Sequence, residues 1–324
     1  MTLDIKKFKK LKVLVIGDLM IDEYVWGSVD RISPEAPVPV VTVKNTSFTL
    51  GGAGNVVNNL VSMGATVSVA GTVGTGETGK ILFKKLKEFK VDTIGLIEEP
   101  YRPTTRKTRI IASSQQMLRI DNEITKEIKT ETFDKLKQVL SIKIPLADLI
   151  IISDYAKGLI TKKIVKFVVD LAKKYKILTI ADPKGLDFSK YKNVSLLTPN
   201  KKEAALASNI EINNTNNLFK AGQKLLDQIE LEKLLITCGK DGMVLFEHNK
   251  KPFIIKSEAR QVFDVSGAGD TVISILGLAL ASGATFKQSA IAANSAAGIV
   301  VGKIGTATLT VNELSNALNK NIKN

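Results

Sequence analysis

The sequence predicts an α/β fold in which helices flank a mostly parallel sheet, within one domain spanning residues 1–324. From residue 148 onward, apolar runs of strand length mostly alternate with polar segments of helix length, which is the pattern of a helix-covered parallel sheet. Two Ala- and Gly-rich apolar stretches after residue 270 predict packed helices. A hydrophobic content of 44% in 324 residues fits one domain with a buried core. The strand-like runs are residues 149–152, 177–180, 194–197, 234–237 and 243–246.

The first half of the chain predicts part of the same sheet and a small β appendage. Residues 13–17 are an apolar run typical of a buried first strand, and a helix is expected to follow the glycine-rich turn at residues 51–54 and to end at Met63. Residues 33–45 alternate prolines with valines, and proline is tolerated in sheets only on edge strands. We therefore expect this stretch to lie outside the main sheet, paired with the Thr-, Arg- and Ile-rich residues 100–120.

Composition excludes several kinds of site. The chain has one cysteine, Cys238, and one histidine, His248, which rules out an internal disulfide, zinc sites and histidine-based triads. The longest uncharged run, residues 271–286, is too short and too rich in small residues to span a bilayer, and no signal sequence precedes the first strand. The sequence thus predicts a cytoplasmic protein without a membrane partner.

The net charge of +14, from 46 basic and 32 acidic residues, raises the question of a nucleic-acid partner. The lysines are spread along helix-like segments such as residues 83–90 and 162–176, and aromatic residues make up 6% of the chain. No nucleic-acid-binding motif accompanies them. We expect a solvated lysine-rich surface that steers small anionic substrates, and no nucleic-acid partner.

Residues 264–271, with the sequence DVSGAGDT, predict an anion site at a helix start. They end a β-like run and open an apolar helix from about residue 268 to 281. Gly267 and Gly269 allow a tight turn that exposes amide N–H groups, and these groups bind anions together with the helix dipole. Asp270 would repel a bound phosphate, so its carboxylate suits a base that deprotonates a hydroxyl attacking phosphorus. A plain helix start with an aspartate in its first turn is the alternative.

Residues 74–79, GTGETG, match two known phosphate motifs incompletely. A dinucleotide fingerprint requires an acidic residue at the end of a second strand, but Glu98 and Glu99 follow no clear strand. A P-loop requires Ser or Thr after its lysine, and the residue after Lys80 is Ile81, which cannot ligate a metal. We therefore expect a glycine-rich turn from a strand to a helix.

Two further motifs allow both a binding and a structural interpretation. Asn200 and Glu203 share one helix face, so they could hold magnesium through water, or they could form an N-cap with a capping-box glutamate. The glycine-rich turn at residues 237–242 is a hairpin signal that could also line a nucleotide site.

Polar residues elsewhere leave similar alternatives open. Asp18 and Asp22 flank the end of the first strand, and Asn55 lies at a predicted helix start; they could bind sugar hydroxyls or could be turn and cap residues. Arg109 and Arg119 in the β appendage could grip a phosphate by charge-assisted hydrogen bonds or be solvated.

The order of these motifs along essentially the whole chain resembles the ribokinase (PfkB-type) carbohydrate kinase family. The resemblance implies a ribokinase-like three-layer sandwich with a mostly parallel central sheet. It also implies a small β lid over the sugar, formed by about 33–45 and 100–120. The matching motifs are Gly17-x-x-x-x-Asp22, Gly51-Gly52 with Asn55, Asn200-x-x-Glu203, Thr237-x-Gly239-x-x-Gly242 and, most specifically, Gly267-Ala268-Gly269-Asp270.

A closer resemblance is to the heptose 7-phosphate kinases that begin ADP-heptose synthesis for lipopolysaccharide core or a related glycan. It rests on residues 31–40, 115–121, 153–158 and 182–185, and on a short spacing between Gly52 and Asn55. Gly76-Glu77 departs from the family, which often has aspartate there. The resemblance implies an ATP- and magnesium-dependent kinase that phosphorylates the anomeric hydroxyl of D-glycero-D-manno-heptose 7-phosphate. Another sugar or sugar-phosphate kinase of this fold, or a non-catalytic sensor, remains the alternative.

The resemblance also assigns residues to roles. It implies Asp270 as base, with the amides of Gly267, Ala268 and Gly269 in an anion hole. The metal would lie near Asn200 and Glu203, through water. The nucleotide would lie among Asn200, Thr237, Gly239, Gly242 and Asn294. The sugar phosphate would be held by Asp22, Gly51, Gly52, Asn55, Arg109, Arg119, Asp154 and Lys184.

Two expectations concern assembly and further domains. Relatives often dimerise through the lid, so we expect a homodimer formed there. In many bacteria the heptose kinase is fused to a C-terminal adenylyltransferase with a His-rich motif. Because this chain has one histidine, His248, we expect it to lack that second activity.

Overall fold

The computed structural model describes residues 3–113, 115–259, 262–303 and 305–321, whose strands form a nine-stranded and a four-stranded sheet. The strands are β1 Lys12–Gly17, β2 Leu19–Ile32, β3 Pro39–Gly52, β4 Thr66–Val73, β5 Asp92–Glu98, β6 Thr105–Ala112, β7 Gln115–Asn122, β8 Leu149–Ser153, β9 Leu178–Asp182, β10 Leu196–Leu197, β11 Lys233–Thr237, β12 Met243–Glu247 and β13 Phe253–Ile255. The α-helices are α1 Ala53–Ser62, α2 Glu77–Glu88, α3 Thr130–Lys143, α4 Lys162–Tyr175, α5 Lys201–Ser208, α6 Thr215–Gln228, α7 Ala268–Ala281, α8 Phe286–Val300 and α9 Val311–Asn321.

The larger sheet has the order β13-β12-β11-β10-β9-β8-β1-β4-β5. From β11 to β5 every neighbouring pair is parallel, and β12 and β13 extend one edge antiparallel. The predicted mostly parallel sheet is therefore confirmed. The turn at residues 237–242 does join two antiparallel strands, and residues 74–79 lead from β4 into α2, as expected.

Helices cover both faces of this sheet because its strands are apolar on both sides. On β1, Val13 and Val15 face one hydrophobic core, and Leu14 and Ile16 face the other. The first core is completed by α1, α2, α7, α8 and α9, and the second by α3, α4, α5 and α6. The result is the three-layer sandwich that the sequence predicts.

The smaller sheet has the order β3-β2-β6-β7 and lies outside the main sheet. Residues 39–45 fall in β3, and residues 105–112 and 115–120 fall in β6 and β7. The expectation that residues 33–45 pair with residues 100–120 is wrong, because the 14-residue strand β2 lies between β3 and β6. The mixed polarity of β2 gives no strand signal in the sequence.

Helix α7 is the central helix of the first core. Every residue from Asp270 to Ala279 is buried, and the helix packs against α1 and α8. An aspartate in its first turn is consequently carried into the interior rather than to the surface. Among the described helices, none is both long and apolar enough to cross a bilayer.

Candidate active site

Polar residues at the ends of three neighbouring strands converge near the start of α7. Asp18 directly follows β1, Tyr155 lies two residues after β8, and Asp182 ends β9. Because β1, β8 and β9 are adjacent and parallel, their carboxyl ends lie at one edge of the sheet. Ligands of open α/β sheets bind at this edge, which makes it the candidate active site.

Asp270 is the buried acid of this site, with 5% of its surface exposed. Its Oδ2 accepts a hydrogen bond from Asn55 Nδ2 at 2.7 Å, and its Oδ1 accepts one from the Tyr155 hydroxyl at 2.8 Å. Burial raises the pKa of Asp270 to about 6, helped by the charge of Asp22 and opposed by the two hydrogen bonds. A carboxyl with this pKa is largely ionised at neutral pH and can still take up a proton, as a general base requires.

The turn before α7 adopts a conformation that favours glycine. Gly267 has φ +78°, in the left-handed region, and a Cβ there would lie 2.5 Å from Nδ2 of Asn55. Asp264 holds the turn in place, because its carboxylate accepts hydrogen bonds from the amides of Ser266 at 2.8 Å and Gly305 at 3.1 Å. Asp264 is thus a positioning residue for the glycine turn.

The first amides of α7 include donors that have no protein acceptor among the described residues. The Ala268 amide donates to the Val265 carbonyl at 3.2 Å, so it is already used. Within the described chain, the amides of Gly267, Gly269 and Asp270 have no protein acceptor. Unpaired amides at a helix N-terminus are the donors that anions bind.

Asn55 connects α1 to this helix start through a buried polar network. Asn59, one turn later, donates to the Asn55 carbonyl at 2.9 Å and accepts from the Thr271 hydroxyl at 2.9 Å. Asn55 is 1% exposed, and its Oδ1 has no hydrogen-bond partner among the described residues. A buried acceptor of this kind usually meets a ligand or water, and a sugar hydroxyl beside Asp270 would satisfy it.

Asp22 lies on β2 of the smaller sheet, near enough for its charge to act on Asp270. Its Oδ1 accepts from Arg109 at 2.6 Å, and the Arg109 guanidinium lies 5.3 Å from the ring centre of Tyr24. A Cβ at Gly51 would come within 2.4 Å of Asp22 Oδ2, so the glycine lets this carboxylate lie against the backbone of β3. Gly52 follows as the N-cap of α1.

Arg119 lies directly opposite Arg109 across the β6–β7 pair, so the two side chains share a face of the smaller sheet. Arg119 makes two hydrogen bonds to Asp121, at 2.9 and 3.0 Å, and half of its side chain is exposed. Exposed ion pairs contribute little stability, so this arginine can exchange Asp121 for an anion from solution.

Asp18 and Asp154 organise the loop after β8. Asp18 accepts the amides of Tyr155 at 2.9 Å and Lys157 at 3.1 Å, and burial raises its pKa, assisted by the charge of Asp154. Asp154 accepts from Lys190, from the Tyr191 hydroxyl and from the Ala156 amide. Its carboxylate is therefore fully engaged by protein donors in this structure.

A cavity of about 250 Å³ lies between the β11–β12 turn and the start of α7. Four of the five predicted nucleotide residues line it beside the glycine turn, with the apolar side chains of Met243 and Val301 in its wall; the fifth, Asn200, is not among the lining residues. The Asn294 amide donates to the Lys256 carbonyl at 2.9 Å. The predicted residues that line the cavity are Thr237, Gly239, Gly242, Asn294, Ala268 and Gly269.

Asn200 and Glu203 form the capping box that was one of the two interpretations of their spacing. Asn200 Oδ1 accepts the Glu203 amide, and Glu203 Oε2 accepts the Asn200 amide, both at 3.0 Å. Glu203 Oε1 accepts from Lys184 Nζ at 2.7 Å, and this bond raises the pKa of Lys184. Lys184, expected at the sugar phosphate, pairs with Glu203 in this structure.

The donor set nevertheless fits magnesium held through water. Burial raises the pKa of Asp182 well above its ordinary value, and the nearby carboxylates of Asp270 and Glu203 add to this effect. In the described part of the chain, no cluster of three or more His, Cys, Asp or Glu side chains could grip a metal directly. Magnesium commonly keeps several waters and binds mainly through phosphates, so indirect contacts are sufficient.

The structure brings most of the predicted site residues to one sheet edge, and it adds four that the sequence analysis did not assign. Asn59 could have been found, because Asn55 and Asn59 lie one helical turn apart. Thr271 directly follows Asp270 in the helix-start motif, but its hydrogen bond to Asn59 joins segments 212 residues apart. Tyr155 and Asp182 reach the site through contacts between distant segments, and no local spacing signals them. The four added residues are Asn59, Tyr155, Asp182 and Thr271.

The fold, with a buried carboxylate beside unpaired helix amides, is that of a sugar kinase, a phosphotransferase that acts on a sugar hydroxyl. Residues 10–313 match the pfkB family carbohydrate kinase description. The chain belongs to this family, as the order of its motifs implies. A kinase family with this fold uses ATP as its phosphoryl donor.

Curated relatives are longer than this chain. This chain is 54% identical over 311 residues to bifunctional protein HldE of Desulfatibacillum aliphaticivorans, and the match covers 96% of this chain and 64% of the relative. The HldE protein of Helicobacter hepaticus is 49% identical, covering 94% of this chain and 63% of the relative. The chain thus spans a little less than two thirds of the relatives that it matches.

Solved structures confirm the ribokinase-like fold. Arabidopsis thaliana ribokinase complexed with ribose and ATP superposes with a TM-score of 0.74 at 18% identity, covering 95% of this chain and 98% of that chain. Escherichia coli phosphofructokinase-2 in complex with potassium superposes with a TM-score of 0.78 at 16% identity, covering 96% of this chain and 99% of that chain. At such identities the likeness establishes the fold alone.

Proposed function

We propose that this protein transfers the γ-phosphoryl group of ATP to the anomeric hydroxyl of D-glycero-D-manno-heptose 7-phosphate. The product is the 1,7-bisphosphate, an intermediate on the way to ADP-heptose. The observation that carries the chemistry is Asp270, a buried carboxylate next to unpaired helix amides and an unpartnered Asn55 acceptor. The choice of sugar is supported by the relatives, because HldE is a bifunctional heptose kinase and adenylyltransferase. The ATP requirement and the near absence of cysteine support a cytoplasmic enzyme.

In the proposed reaction the sugar hydroxyl lies between Asp270 and Asn55. Asp270 takes the hydroxyl proton while the hydroxyl oxygen forms a bond to the γ-phosphorus. The bond from that phosphorus to the bridging oxygen breaks, and ADP leaves with the electron pair. The reacting hydroxyl gives its only proton to Asp270, so Asn55 Oδ1 accepts a hydrogen bond from a second hydroxyl of the sugar, and Asn55 Nδ2 keeps Asp270 in place. Alignment of this kind can supply roughly 7–11 kcal/mol of the barrier reduction.

The helix start stabilises charge on the transferred group. As the phosphoryl group moves towards the sugar, its oxygens accept hydrogen bonds from the amides of Gly267, Gly269 and Asp270. The positive end of the helix dipole stabilises the same negative charge. Magnesium, when bound, neutralises the phosphates. Asn200 and Glu203 would hold it through water, and Lys184 would add a positive charge beside it.

The simplest test of the proposal is an ATP-coupled assay across free sugars, sugar phosphates and heptose 7-phosphate. We expect the highest kcat/KM for heptose 7-phosphate. Preference for another sugar phosphate would change the substrate and leave the chemistry intact. ADP release that no sugar stimulates would contradict a kinase.

Arg119→Ala should separate a phosphorylated from a neutral sugar. Loss of a charge-assisted bond to the remote phosphate should raise KM for heptose 7-phosphate about 10- to 100-fold and leave KM for the unphosphorylated heptose unchanged. Arg106→Ala is the matched control, because Arg106 pairs with Glu23 on the opposite face of the smaller sheet. Equal losses with both sugars would contradict the phosphate role.

We further propose that two copies associate through the smaller sheet, which acts as a lid. All eight residues of the edge strand β7 are exposed, and such a strand readily pairs with another copy. Leu118 and Ile120 are 54% and 50% exposed, and they alternate with Arg119, so they lie on the face turned away from the arginine pair. A two-fold contact would cover this apolar face.

Leu118→Glu should therefore convert the dimer into monomers in analytical ultracentrifugation. A buried unpaired carboxylate at a two-fold contact is costly for both copies. Ile254→Glu is the control, since Ile254 is 46% exposed on β13, the edge strand of the larger sheet. A monomeric wild-type protein, or a dimeric Leu118→Glu variant, would exclude this interface.

A further inference from the structure

Tyr155 contacts the proposed base, Asp270, directly, although the proposed reaction gives this tyrosine no role. Its hydroxyl donates to Asp270 Oδ1 at 2.8 Å across 115 positions of sequence. The backbone around it is anchored, because Asp18 accepts the amides of Tyr155 and Lys157. Arg102 holds the same loop from the other side by donating to the Lys157 carbonyl at 3.0 Å. The phenol is therefore presented to Asp270 by a rigid segment.

We propose that Tyr155 is a positioning residue that orients the Asp270 carboxylate and maintains its proton-accepting form; this rests on the proposed kinase function. The two donors approach different oxygens: Asn55 from α1 binds Oδ2, and Tyr155 from the loop after β8 binds Oδ1. A carboxylate held on both oxygens cannot rotate about its terminal bond. The remaining lone pairs are thereby aimed at the sugar hydroxyl.

The phenol is suited to this part because it keeps its proton and donates it in a hydrogen bond to Asp270. Burial and the charges of Asp270 and Asp182 raise the pKa of Tyr155 well above its ordinary value, so its hydroxyl stays protonated. It cannot act as the base itself. Its hydrogen bond favours the ionised form of Asp270, as does the bond from Asn55.

Other charges around Asp270 act in the opposite sense. Asp22 on β2 raises the pKa of Asp270, although Arg109 on β6 partly neutralises it. Asp182 at the end of β9 interacts with Asp270 as a further like charge. Tyr155 and Asn55 are the groups that oppose this repulsion, so removal of either donor should leave Asp270 harder to ionise.

Tyr155→Phe tests the proposal, because it removes one oxygen atom and retains the ring. The acid limb of the pH dependence of kcat should move to higher pH by about one pH unit, with thermal unfolding little changed. The control is Tyr191→Phe, which removes a buried hydroxyl that donates to Asp154 and not to Asp270. The substrate phosphate also titrates near pH 6. The position of the acid limb is therefore compared between Tyr155→Phe, Tyr191→Phe and the wild type, which all share that titration. An unmoved limb in Tyr155→Phe would overturn the proposal.

A second measurement separates this proposal from the proposed function. With ¹³C-labelled aspartate, the Asp270 carboxyl resonance can be assigned from Asp270→Asn and titrated without any substrate. We expect its midpoint to lie at higher pH in Tyr155→Phe than in wild type and in Tyr191→Phe. If no sugar is phosphorylated but this midpoint moves, the function fails and the coupling stands. If sugars are phosphorylated and the midpoint stays, the coupling fails alone.

Discussion

Replacement of Asp270 by asparagine is expected to lower kcat by about 10²- to 10⁴-fold, the range that general-base catalysis contributes. The amide retains the size of the side chain but cannot accept the hydroxyl proton. ATP binding should be retained, because the predicted nucleotide cavity is lined by the β11–β12 turn and the start of α7 and not by this carboxylate. Steady-state kinetics with an equilibrium nucleotide titration measure both quantities.

Two further measurements make the Asp270→Asn result specific. Asp170→Asn removes an exposed carboxylate that pairs with Lys166 and should leave kcat unaltered. Burial raises the pKa of Asp270 from 3.8 to about 6. Its charge therefore destabilises the folded state increasingly as the pH rises above 3.8, and by the full amount above about 6. The variant should therefore gain up to about 3 kcal/mol in unfolding free energy at pH 8 and none at pH 3. Near wild-type turnover in Asp270→Asn would show that the base is a different group.

Gly267→Ala is expected to have an effect of similar size by a different route. Its φ of +78° costs any other residue about 1–2 kcal/mol, and the new methyl group would lie 2.5 Å from Asn55 Nδ2. Either the glycine turn or Asn55 must move, which disturbs the anion hole and one of the two bonds to Asp270. Loss of one oxyanion donor typically reduces kcat by about 10²- to 10³-fold.

Gly283→Ala provides the matched control for Gly267→Ala. Gly283 has φ +93°, but a Cβ there would have no atom within 4 Å. Both variants share the backbone strain, so thermal unfolding should fall in both, whereas kcat should fall only in Gly267→Ala. If the two variants lose activity equally, strain alone accounts for the loss, and the close approach of Gly267 to Asn55 has no catalytic meaning.

Local signals made part of the fold predictable. The glycine pair and the apolar run after it mark α7, which extends over Ala268–Ala281 as expected. By contrast, β2 runs through Asp22, Trp26 and Asp30 with mixed polarity, because it lies in a sheet that is exposed along part of its length. Strands of this kind lack both an apolar run and a clean alternation. Strand pairing is also non-local, which is why β6 was assigned to the wrong partner.

The candidate site was predictable where one motif carries both its chemistry and its geometry. Asp270 and Gly267 are of this kind, since a helix start is itself an anion site. Asn200 and Glu203 were ambiguous because one spacing serves a capping box and a water-held metal alike, and the structure forms the capping box. Tyr155 was not identified because its bond to Asp270 joins segments 115 residues apart. The proposed role of Tyr155 therefore depends on its position in the fold and not on its residue type.

The central claim is that Asp270 deprotonates the anomeric hydroxyl of a heptose that already carries a phosphate. ³¹P NMR of the product, formed from ATP and heptose 7-phosphate, tests it most directly. We predict one new sugar resonance that couples to the anomeric proton, beside an unchanged resonance for the 7-phosphate. With Asp270→Asn, over the same time, the 7-phosphate resonance should remain and the new resonance should be absent. A new phosphate that couples to any other ring proton, or ADP formed without a phosphorylated sugar, would contradict the claim.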